Sequence, residues 1–96
     1  MKKVGLVGGL SWVSTIEYYK LVNETVNKKL GGLDFCECII YSLNFGELNR
    51  RGWKNAFDLL LHACKSLEDA KADAIALCVN TAHMYADELQ QKINIL

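Results

Sequence analysis

Cys78 closes a short apolar run, Ala74–Cys78, and Val79-Asn80-Thr81 leads from it into a helical pattern. A thiol just ahead of a helix lies near the helix's positive end, which lowers a thiol pKa. The free N–H groups at that end also suit a carboxylate. Asn80 and Thr81 add side-chain donors, and His83 sits inside the first turn. The chemistry expected of this segment is proton transfer by a thiol beside a bound carboxylate. Cys78 is then the thiol that alkylates most readily near neutral pH. The plain alternative is a buried strand-end cysteine followed by an ordinary Asn/Thr cap.

Gly8-Gly9-Leu10-Ser11 is a second candidate, a glycine turn whose backbone N–H groups could hold an anion. It has neither the G-x-G-x-x-G spacing nor the G-K-[ST] ending, so it does not point to a nucleotide. Its alternative is a tight strand-to-helix turn. Cys36 and Cys38 alternate along a strand and so share a face. With no second close pair they read as core thiols rather than zinc ligands. Cys64 falls on an apolar helical face and His62 falls off it. Trp12, Tyr18 and Tyr19 are candidates for a pocket or an interface. The acidic stretch around Glu68, Asp69 and Asp73 reads as a solvated helix end.

The elements that position these residues alternate. Lys3–Val7 is a short β-type run that ends at Gly8-Gly9. Ser11 or Ser14 caps a helix whose Tyr18, Val22, Val26 and Leu30 recur on one face, and Gly31-Gly32 ends it. Cys36–Ser42 reads as a second strand and Leu43–Lys54 as a long loop. Phe57, Leu60, Leu61, Cys64 and Leu67 mark a second helix. Ala74–Cys78 is a third strand, Thr81–Lys92 a third helix and Ile93–Leu96 the opening of a fourth strand. Alternating strands and helices with apolar strands predict an α/β three-layer sandwich, a parallel sheet covered on both faces. Ligands in such sheets sit at the carboxyl ends of the strands. The segments Gly8–Ser14, Ser42–Asn49 and Cys78–His83 all project there.

Residues 4–15, Val-Gly-Leu-Val-Gly-Gly-Leu-Ser-Trp-Val-Ser-Thr, resemble the Gly-Gly-Met-Ser-Trp-Glu-Ser-Thr opening of the aspartate/glutamate racemase family. Cys78-Val79-Asn80-Thr81-Ala82-His83 resembles its more specific Cys-x-Asn-Thr-x-His pattern. Ile40–Phe45 is similar to its second-strand segment. The likeness runs the length of the chain and covers somewhat less than half of a typical member. It implies a flavodoxin-like half of a two-domain racemase, with residues 1–96 as the N-terminal domain and the second domain outside this sequence. Family members use neither pyridoxal phosphate nor a metal. One cysteine from each domain flanks the substrate α-carbon, one removing the α-proton and the other protonating the opposite face. By match Cys78 is the first catalytic cysteine. Asn80 and Thr81 hold the substrate carboxylate, and Leu10, Ser11, Ser42 and Asn44 line the pocket. Val13 stands where the common pattern has glutamate, and Leu10 where it has methionine.

Composition bounds the alternatives. Eleven basic and eleven acidic residues cancel and no basic stretch stands out, so nucleic acid is not an expected partner. No apolar run reaches the roughly 18–20 residues of a membrane span. The apolar run after Met-Lys-Lys is too short, and is cut by glycines and then Ser11, for a signal peptide. Four irregularly spaced cysteines fit reduced thiols in the cytoplasm. The expected ligand is a small amino acid or dicarboxylate. The chain is also expected to form a homo-oligomer, with Trp12, Tyr18 and Tyr19 as candidate contacts. Two other readings remain at this point. One is a catalytically silent carboxylate-binding or interaction domain on the same scaffold, and the other is a flavodoxin-like nucleotide binder.

Overall fold

The computed structural model describes residues 2–9, 11–52 and 56–78. Strand β1 (Val4–Gly8) leads into helix α1 (Trp12–Leu30), then β2 (Cys38–Ser42), α2 (Phe45–Arg51), α3 (Phe57–Asp69) and β3 (Ala74–Leu77). The sheet is parallel in the order β2-β1-β3, so β1 is central. The expected third helix, Thr81–Lys92, and fourth strand, Ile93–Leu96, lie outside the described residues. Among the described residues no helix is long and apolar enough to cross a membrane.

Side chains on β1 alternate between the two faces. A Cβ on Gly5 would lie 3.0 Å from Leu67 of α3, and Val7 shares that face. A Cβ on Gly8 would lie 2.5 Å from the Thr15 hydroxyl of α1. The two helices therefore cover opposite faces, and glycine lets each approach the strand closely. This is the three-layer arrangement expected from the alternation. The α3 face is the better packed, with Leu48, Leu60, Cys64 and Leu67 buried against Val7, Ile75 and Leu77. Truncating a leucine such as Leu60 or Leu67 in such a core costs roughly 2–5 kcal/mol.

One expectation needs correction. The segment Leu43–Lys54 is not a long loop, because seven of its residues form α2. The Asn44 side chain caps it, accepting from the Gly46 N–H at 2.9 Å, and Gly52 ends it at φ +78°. Leu48 is its one buried residue, too little to create a visible apolar stripe. Asn44 followed three residues later by Glu47 is the signature of a helix start, and it was the available signal. The second strand also begins later than expected. The Cys36 N–H bonds to the Asn23 side chain at 3.2 Å instead of joining the ladder.

Candidate active site

The first loop is built by Ser11, whose side chain accepts from the Ser14 N–H at 3.5 Å and makes Ser11, not Ser14, the cap of α1. Thr15 stands one turn on. Its hydroxyl accepts from the buried Gly9 N–H at 2.9 Å and donates to the Ser11 carbonyl at 3.2 Å. Gly9 has φ +88°, a conformation that glycine adopts cheaply. It presses against the second loop. A Cβ there would overlap the Leu43 carbonyl oxygen and lie 2.7 Å from the Ser42 hydroxyl. The Leu43 N–H also donates to the Gly8 carbonyl at 2.8 Å. First and second loops are thus joined backbone to backbone.

The third segment begins at Cys78, one residue past β3. Its N–H donates to the Val7 carbonyl at 2.9 Å, so it continues the pairing with β1. Gly8 is in register with Ser42 on its other side. Ser42, Gly8 and Cys78 therefore stand side by side at the carboxyl edge. Strand spacing puts the outer two backbones about 10 Å apart. Cys78 is 1% exposed, and its Sγ lies 4.0 Å from the Ala76 carbonyl oxygen.

Burial pushes the Cys78 thiol up to about 11. This corrects the direction expected from sequence. Removing a thiolate from water disfavours the charged form, and the helix start on which a lowered value was expected lies outside the described residues. Cys64, buried in the core and close to Glu68, is likewise pushed up to about 11. Cys38 is raised by burial and by its neighbour Cys36, whose side chain hydrogen bonds to it.

The structure brings together three of the residues singled out at the sequence level, Ser42, Ser11 and Cys78, on one edge of the sheet. Asn44 lies on the same edge, but its side chain is engaged in capping α2. Leu10, Asn80 and Thr81 lie outside the described residues, as does His83. Thr15 was missed. The signal was its spacing of four from Ser11, from which a threonine hydroxyl can reach back to the cap carbonyl.

The sequence profile of the Asp/Glu/Hydantoin racemases matches residues 7–95. The chain belongs to that family. The fold agrees with solved relatives. The crystal structure of a candidate Asp/Glu racemase from Yersinia pestis superposes with a TM-score of 0.93 at 40% identity, covering 99% of this chain and 43% of that one. An aspartate racemase homologue from Pyrococcus horikoshii OT3 gives 0.91 at 39% identity, again covering 99% and 43%. The racemase-family chain thus spans less than half the length of these relatives.

The burial of this racemase-family thiol changes the expected order of alkylation. Limiting iodoacetamide near neutral pH is expected to label the half-buried Cys36 ahead of the buried Cys78 and Cys64. Peptide mapping reads the order directly. Labelling of Cys78 first would mean that its thiol is ionised and accessible in solution, contrary to its burial here.

Proposed function

We propose that this chain supplies one wall of an amino-acid racemase active site, with Cys78 as the acid/base thiol on one face of the substrate α-carbon. The reaction needs neither pyridoxal phosphate nor a metal. One thiolate takes the α-proton and becomes a thiol, while a second thiol gives its proton to the opposite face and becomes a thiolate. The observation that carries this reading is the placement of Cys78 beside Gly8 and Ser42 at the carboxyl edge of the parallel sheet. The substrate is a small amino acid with an acidic side chain, of the aspartate or glutamate type. Ser11 and Ser42 line its pocket together with Leu10, Asn44, Asn80 and Thr81.

The raised thiol pKa assigns Cys78 a resting state. At neutral pH a thiol of pKa about 11 is ionised in only about one molecule in 10⁴. Cys78 therefore rests as the proton donor, and it acts as a base through its small thiolate fraction. The second thiol comes from another segment or a second copy of the chain. Trp12, Ile16 and Tyr19, exposed at helical spacing along α1, support a protein-covered surface there and with it self-association.

Titration of the isotopically labelled chain with L-aspartate tests the reading. Amide shifts are expected at Ser11, Ser42, Leu43 and Cys78, and succinate, a dicarboxylate, is expected to compete. Saturable shifts confined to the opposite edge of the sheet, or none at all, would dispose of the proposed pocket.

A further inference from the structure

Thr15 is the one buried polar side chain among the described residues, and it uses both hydrogen-bonding capacities of its hydroxyl on the first loop. The comparison with Thr25, ten residues along the same helix, is informative. The Thr25 hydroxyl reaches back only to the Leu21 carbonyl, at 2.8 Å and exposed, which is ordinary for a helical threonine. Thr15 makes the equivalent bond to Ser11 and accepts from a buried amide outside the helix as well.

That amide belongs to the second of two consecutive glycines. Gly8-Gly9 is the least conformationally restricted dipeptide the chain can contain, so the turn has little intrinsic stiffness. The Thr15 hydroxyl holds Gly9 from the helix side, while Leu43 and Ser42 bear on it from the other. The absent side chain of Gly8 makes this possible. A Cβ there would lie 2.5 Å from Thr15 Oγ1 and 2.6 Å from its Cγ2. Since Gly8 stands between Ser42 and Cys78 in the sheet, Thr15 fills the space above the strand end that separates them.

We infer that Thr15 is a positioning residue: its hydroxyl, holding the Gly9 amide and the Ser11 carbonyl together, fixes Ser11 relative to Ser42 and so sets the gap that receives a substrate carboxylate. Thr15 touches no substrate. It acts through Gly9, which transmits the position of α1 to the second loop. The ligand half of this inference rests on the racemase reading above, whereas the loop half does not.

The test uses the 96-residue chain as Thr15→Val, which keeps the shape and removes the hydroxyl, and Thr15→Ser, which keeps the hydroxyl and removes the methyl. Aspartate affinity and exchange of the Gly9 amide are measured by NMR at a temperature where each variant is folded by circular dichroism. Thr15→Val is expected to weaken aspartate binding at least about tenfold and to speed Gly9 exchange by a similar factor, since a buried N–H loses its acceptor. Thr15→Ser is expected to stay within about threefold of wild type in both. Wild-type affinity in Thr15→Val would overturn the inference. So would loss in Thr15→Ser as large as in Thr15→Val, because packing volume rather than the hydroxyl would then be responsible. If the wild-type chain binds no aspartate, the racemase reading fails by itself. Gly9 exchange then decides the loop half, and unchanged protection in Thr15→Val overturns it.

Discussion

Gly9→Ala is expected to destabilise the chain by about 2–5 kcal/mol, a large loss for a single added methyl group. Two penalties add. A non-glycine residue at φ +88° costs about 1–2 kcal/mol. The new Cβ would also meet the Leu43 carbonyl oxygen and lie 2.6 Å from the Leu43 nitrogen, and overlap with backbone is not relieved by a rotamer change. Overpacking of that kind costs about 1–3 kcal/mol more. Against a typical total of about 5–15 kcal/mol, much of the population would unfold in a marginal domain. Gly52→Ala is the control. Gly52 has φ +78° but open space around its Cβ direction, so only the backbone penalty applies. Urea unfolding of the two variants separates the effects. Equal midpoints would show that the first and second loops do not press together at Gly9.

The largest expected effect on chemistry is at Cys78. In heavy water the wild-type chain is expected to exchange the α-proton of aspartate without inverting it while monomeric, because one thiol returns a deuteron to the face it deprotonates. Cys78→Ala is expected to lower this exchange by about 10²–10⁴-fold, the usual worth of a positioned acid/base group. The pH dependence follows from the raised thiol pKa. Only the thiolate is the base, and below a pKa of about 11 its fraction rises tenfold per pH unit. Exchange should therefore climb with unit slope across roughly pH 6–9. A plateau near neutrality would mean that bound substrate lowers the thiol pKa. Exchange unaffected by Cys78→Ala would remove Cys78 from the mechanism, and robust inversion by a demonstrated monomer would refute the need for a second thiol.

The alternation of strands and helices was legible because hydrophobic periodicity reports which faces are buried. Tyr18, Val22 and Val26 lie along the half-buried side of α1, and Leu60, Cys64 and Leu67 are buried on α3. Helix α2 was less legible because two turns with a single buried leucine leave no period to read. The shared edge was legible, since parallel strands put their carboxyl ends on one side; of the third segment only Cys78 lies within the described residues. The direction of the Cys78 pKa was not. Nearness to an expected helix start can be read along the chain, but burial depends on the closed fold. Thr15 escaped for the same reason, because its partner Gly9 matters only once the turn has closed.

The central place of β1 has a consequence for how the chain is made. Of the three strands β1 leaves the ribosome first, yet one of its edges is closed by β3, to which Lys3 and Asp73 tie it across 70 residues of sequence. At about 5–20 residues per second, synthesis of that stretch takes roughly 4–14 s. Throughout it the nascent β1 offers an unpaired edge, and burial of Leu6 and Val7 is incomplete. Charge at the head of this strand, from Lys2 and Lys3, is the only gatekeeping the segment itself provides. Slow, non-local closure of this kind leaves Gly5, Leu6 and Val7 open to wrong pairing until the sheet is complete.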